Sequence, residues 1–162
     1  MTIARVDGAA GRGMTMKQMI QAVLDLLRDA DRWTTGWYAR NAASERLYQR
    51  HHMGEWYTGL GMKSEPTCFC LLGAPMYLWP GSHLTMMVAM ARFLKPLIPR
   101  HQLLDDGLIG WQDHVGHAAV ITLLERAVEE ADDEKVVWVA SQPPPIISPA
   151  LLRGARSQDR EE

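Results

Sequence analysis

Two thiols and two imidazoles are the side chains of this sequence best suited to chemistry: Cys68 and Cys70, with one residue between them, and His114 and His117. Zinc accepts such a ligand set. The spacing argues against it, because structural zinc sites place two or more residues between paired cysteines and here Phe69 alone separates them. In a helix, residues two apart point about 200° from one another, so the thiols would diverge. Cysteine is also among the residues most often buried, so core packing is the preferred reading and no metal is expected.

The same region offers a nucleophile: Cys70, with His114 or His117 as base and Asp113 or Asp106 orienting it. A reactive thiol needs an exposed, electropositive setting, whereas the apolar neighbours of Cys68 and Cys70 raise a thiol's pKa. The acid pairs Asp105–Asp106 and Asp132–Asp133 lie where helices should begin or end, and aspartate caps backbone groups there. The glycines of GAAGRG follow no strand and carry no motif lysine, so no phosphate-binding loop is read and no cofactor is expected.

Aromatic residues are the other candidates. Tryptophans stand at 33, 37, 56, 79, 111 and 138, and large aromatics are core residues unless they cluster on the surface. Trp33, Trp37, Tyr38, Arg40 and Trp111 are the candidate binding residues. Met86, Met87 and Met90 recur at helical spacing and read as core before they read as an adaptable face.

The elements that must position these groups follow from periodicity. Thr15 and Gln18 have capping-box spacing, and Met16, Met19, Ile20, Val23, Leu24 and Leu27 then recur at helical intervals, predicting a helix over 16–31. WTTGWYARN reads as a short extended segment and 42–61 as mostly loop, with a helical turn near 43–50. PTCFCLLGAPMYLW is almost wholly apolar and reads as the centre of the core, with Pro66 suited to a helix's first turn and a kink or break at Pro75. Ser82 and Asp113 are the expected caps of two further helices, the first ending at Pro96 and the second running over 115–132. KVVWVA at 135–140 reads as a strand pairing with WTTGWYAR.

The resulting expectation is a mainly α fold, a compact bundle of about four helices with a small two-stranded sheet (α+β). Residues 1–14 form a flexible leader, 15–140 a single globular domain and 141–162 a Pro-rich disordered tail. A chain of 162 residues suits one core, and 47% apolar with 22% charged residues is ordinary for a globular protein. The net charge of −2 gives no reason to expect nucleic acid. The local basic group Arg40, Arg46, Arg50, His51 and His52 is diluted by Glu45 and Glu55. No apolar stretch is long enough for a membrane span, the N-terminal residues lack a signal-peptide pattern, and the cysteines read as thiols in a reducing compartment, so the cytoplasm is expected.

The order of segments, from the capped helix through WTTGWYARN and CFCLLGA to IGWQDHVGHAAVITLLERAVEEA, resembles a family of small helical domains of unknown function found in actinobacteria and their bacteriophages. Over 16–132 the matching positions are Trp33, Gly36, Ala39, Arg40, Cys70, Leu72, Gly73, Ala74, Trp111 and Asp113. Pro75 departs from the pattern, where the family has a residue continuing a helix, and 43–65 does not follow it. The resemblance implies a fold and no activity.

The leading functional expectation is a non-enzymatic protein-binding or regulatory protein, phage-encoded on this resemblance, acting on a host or phage protein through the aromatic loop and the terminal segments. One alternative is a small hydrolase or transferase with a site near Cys70, Asp113 and His114, which predicts a concave pocket gathering 33–40, 70–74 and 111–117. A structural phage component, its C-terminal tail ordered by neighbouring subunits, is the third; the sequence leaves the oligomeric state open, a homo-oligomer included.

Overall fold

The computed structural model describes residues 14–49, 54–79, 83–103, 105, 107–133 and 136–137. The fold is mainly α, with five α-helices and three small two-stranded antiparallel pairs among the described residues. Strand β1 (Met14–Thr15) leads directly into α1 (Met16–Leu27). The expected capping box is present: Gln18 N–H donates to Thr15 Oγ1 at 3.1 Å, and Thr15 N–H to Gln18 Oε1 at 3.0 Å. The helix stops at Leu27, short of 31, and a 3₁₀ turn at Ala30–Arg32 follows, with Asp29 accepting from the Asp31 N–H at 3.0 Å. Aspartate competes for local backbone donors in this way and favours a new turn over continued helix.

The next strands are β2 (Ala39–Arg40), β3 (Leu47–Gln49), β4 (Trp56–Thr58) and β5 (Cys68–Phe69). WTTGWYARN is extended as expected at β2, but its partner is β5, in register Ala39↔Phe69 and Arg40↔Cys68. The strand near 136 pairs instead with β1, Met14↔Val137 and Thr15↔Val136, so Met14 belongs to a strand and not to the leader. Periodicity identifies a strand but not its partner, which explains the misassigned pairing.

The 42–61 segment, read as loop with a helical turn, holds the β3–β4 hairpin, in register Leu47↔Thr58, Tyr48↔Tyr57 and Gln49↔Trp56. Leu47 and Trp56 are buried while Tyr48 stands outside. Strands of three residues are too short to display the alternation that would reveal them.

Pro66 precedes β5 and is not helical. Helix α2 (Gly73–Leu78) places Pro75 in its first turn, where its missing N–H would have had no intrahelical partner. The expected kink at Pro75 is therefore absent, and the chain leaves the helix at Trp79 instead. Helix α3 (His83–Leu94) follows; its expected cap, Ser82, lies outside the described residues, as do Asp106, 1–13 and 138–162.

The expected 115–132 helix is α5 (His117–Glu130), and it is preceded by a further helix, α4 (Gly107–Val115), in an Asp- and Gly-rich segment where no helix is expected. Gly116, with φ 83°, turns the chain between them, a conformation glycine adopts without strain. Asp113 thus sits inside α4 and caps nothing.

Helix α1 packs against α2, α3 and α5, and α5 also touches α3 and α4. Met19, Ile20, Val23 and Leu27 of α1 are fully buried, with Met86, Met90 and Leu94 of α3 and Val120, Leu124 and Ala127 of α5. The reading of Met86 and Met90 as core holds. The apolar run around β5 and α2 is central as expected, with Phe69, Cys70, Leu71, Ala74 and Leu78 all buried. None of the described helices is long and apolar enough to cross a membrane.

Candidate functional site

Three segments far apart in sequence meet at one open cavity of about 210 Å³, lined by Gly36, Trp37, Tyr38, Cys70, Ile109, Gln112 and Asp113. Ile109, Gln112 and Asp113 fall at helical spacing on one side of α4, which is why one helix can wall the cavity. Two side chains of α4 tie it to the opposite walls. Asp113 Oδ1 accepts from the Gly36 N–H at 3.1 Å, and the buried Gln112 Oε1 accepts from the Leu71 N–H at 2.8 Å. The walls join each other where the Cys70 N–H donates to the Tyr38 carbonyl at 3.0 Å.

Cys70 sits at the corner between β5 and α2, only 3% exposed, and its Sγ accepts from the Gly73 N–H at 3.3 Å. Burial pushes its thiol pKa above the ordinary range, against the opposing pull of hydrogen bonds from the Gly73 and Leu72 backbone and from Gln112. The pocket predicted by the hydrolase reading exists, but Cys70 stays protonated at neutral pH. His114 is exposed and does not line the cavity, so thiol and base are not brought to the same wall.

His117 is used elsewhere: its Nε2 lies 2.6 Å from the Leu27 carbonyl at the end of α1, and its ring packs 5.8 Å from that of Trp33. Cys68 is half-buried, with Sγ 3.8 Å from the Arg40 carbonyl, and both cysteines are free thiols. Among the described residues no three His, Cys, Asp or Glu side chains are grouped to hold a metal, so Cys68, Cys70, His114 and His117 do not assemble.

Burial of the Cys70 thiol has a measurable consequence. A raised folded-state pKa means that the unfolded chain ionises first as pH rises, so this contribution to stability is complete below the ordinary thiol pKa of about 8.5. It is lost as pH climbs from there through the folded value. Urea midpoints measured from pH 7 to 10 are expected to fall more steeply for the native chain than for Cys70→Ala; equal slopes would place the thiol in water.

The binding candidates separate on the structure. Trp111 is 4% exposed, with its indole N–H directed to Gln102 Oε1 at 3.4 Å, so it is a core residue and not contact surface. Arg40 is half-buried and bonded within its own segment, donating from Nε to Thr34 Oγ1 at 3.1 Å and from a terminal guanidinium nitrogen to the Ser44 carbonyl at 2.9 Å. Trp33 is half-buried and bridges Phe69. Trp37 and Tyr38 remain at the surface edge of the cavity.

Trp37 donates its indole N–H to the Leu47 carbonyl at 2.9 Å, locking the loop to the hairpin. Its ring meets Tyr48 edge-on at 5.0 Å and Tyr38 at 6.1 Å, and Arg46 Cζ lies 5.2 Å from its centroid. Tyr38 and Ile109, 36% and 43% exposed, line the cavity, and Tyr48, 48% exposed, extends this apolar rim on the far side of Trp37.

Tyr48, Ile109 and Gln112 were not legible as site residues. Gln112 carried one usable signal, as a polar residue on the apolar stripe Leu108, Trp111 and Val115.

A family model described as a family of unknown function, DUF6197, matches residues 11–130. The chain belongs to the DUF6197 family. The matched span contains every described residue of the cavity, from Gly36 to Asp113. Neither the curated proteins nor the solved structures yielded a match.

Proposed function

We propose that this DUF6197 chain is a non-enzymatic binding protein whose protein partner docks on the aromatic rim of the cavity. The observation that carries this reading is an open cavity lined by the exposed Tyr38 and Ile109, with the exposed Tyr48 packed edge-on against Trp37 of the same lining, whose indole is fixed to the Leu47 carbonyl. Rigid aromatics offer large contact area at small entropic cost, and a few such residues dominate binding energies. The free thiols of Cys68 and Cys70 suit the cytoplasm as the compartment.

A small hydrolase or transferase has one observation in its favour, that Cys70 and Asp113 share the cavity. The buried thiol and the position of His114 outside the cavity weigh against it.

The test is affinity recovery from lysate of the source cell. The native chain and a control, Glu129→Ala on the exposed side of α5, are expected to recover the same partner. A folded Tyr38→Ala/Tyr48→Ala variant should recover at least about tenfold less, since losing one hot spot costs about 2 kcal/mol. Equal recovery by all three, or no specific partner, would remove the proposal.

A further inference from the structure

Resting on that docking reading, we propose that the cavity receives a basic side chain, lysine or arginine, of the docked polypeptide. Size is the first argument. At about 210 Å³ the cavity falls below the roughly 300–1,000 Å³ of small-molecule sites, which leaves room for one long side chain and not for a nucleotide or a large metabolite.

The lining chooses the chemistry. Trp37, Tyr38 and Ile109 give aromatic and aliphatic walls that suit a methylene stem, and Asp113 is the charged residue among those lining the cavity. Its Oδ1 is held by the Gly36 N–H at 3.1 Å. A carboxylate accepts at both oxygens, so this bond orients the group without exhausting it.

No lysine or arginine lines the cavity among the described residues. Aromatic faces attract ammonium and guanidinium groups; Arg46 already lies 5.2 Å from the Trp37 centroid, which leaves Tyr38 as the other aromatic residue of the lining for an entering cation. A cation entering between Tyr38 and Asp113 meets complementary charge, whereas an acidic side chain meets a like charge from Asp113 and an uncharged one leaves the carboxylate unpaired.

The experiment titrates the ¹⁵N-labelled full chain with four capped tripeptides, acetyl-Gly-X-Gly-amide, in which X is lysine, arginine, norleucine or glutamate. Lysine and arginine peptides are expected to shift the Trp37 indole and the Gly36 and Ile109 amide signals at millimolar concentration. The norleucine peptide, which keeps the stem and lacks the charge, should bind at least tenfold more weakly, and the glutamate peptide should leave the signals unmoved.

Asp113→Asn keeps an acceptor for Gly36 and should weaken the lysine peptide at least tenfold. If that variant does not fold, the lysine-to-norleucine ratio on the native chain decides alone. Equal binding of lysine and norleucine overturns the proposal, as does stronger binding of glutamate or a folded Asp113→Asn variant that binds lysine unchanged. A partner recovered by the native chain and lost by Tyr38→Ala/Tyr48→Ala, without charge preference among the peptides, overturns the occupant and leaves the docking surface standing; failure of both overturns both.

Discussion

Gly73→Ala is expected to lower stability by about 3 kcal/mol or more, because the added methyl has nowhere to go. A Cβ on Gly73 would overlap the Tyr38 carbonyl oxygen and lie 2.6 Å from its carbon and 3.1 Å from its Cα. These are backbone atoms, so no rotamer change relieves the clash. Moving them would break the bond from the Cys70 N–H to the same carbonyl, 3.0 Å long, and displace the start of α2.

The sign makes this result diagnostic. Alanine in place of glycine inside a helix ordinarily stabilises by roughly 0.5–1 kcal/mol. A urea titration that found Gly73→Ala as stable as the native chain would mean that Tyr38 does not approach α2.

The second large effect is expected at Gln112, 2% exposed and almost the same size as leucine. Gln112→Leu keeps the volume and removes the acceptor of the Leu71 N–H, leaving a buried donor unpaired at a cost of about 2 kcal/mol. Hydrogen exchange at the Leu71 amide should accelerate along with the lower urea midpoint. Unchanged exchange would show that another group satisfies that N–H. Both substitutions act on the cavity walls, Gly73→Ala by displacing Tyr38 and Gln112→Leu by altering the lining, so each should lower partner recovery by more than the unfolded fraction.

Long periodic segments were the legible part of this chain. The capping box of Thr15 and Gln18 and the stripe from Met16 to Leu27 identify α1 without further information, because a local pattern and a buried face agree there. The apolar run around Cys70 was likewise readable as core. What could not be read is pairing. Two- and three-residue strands such as Ala39–Arg40 and Trp56–Thr58 have no period to detect, and their partners are set by tertiary contacts.

The site divides in the same way. Asp113 looked like a helix cap, since an Asp after an apolar step before a helical stripe has that signature, but Gly116 makes the turn instead and leaves Asp113 inside α4. Trp111 and Asp113 both stand among the positions that match the family, while the residue between them, Gln112, makes the buried bond that fixes the cavity. Asp113 and Gln112 reach backbone N–H groups at Gly36 and Leu71, and a side-chain bond to a distant backbone leaves no trace in spacing.

Photo-crosslinking from the aromatic rim shows whether a partner protein sits there. With a benzoylphenylalanine introduced at Tyr48, beside Trp37 and outside the core, the chain expressed in its source cell should yield one discrete crosslinked species. The same probe at Glu129, on the exposed side of α5, should not yield it. Identical products from both positions, or none from Tyr48, would mean that no partner docks on the rim.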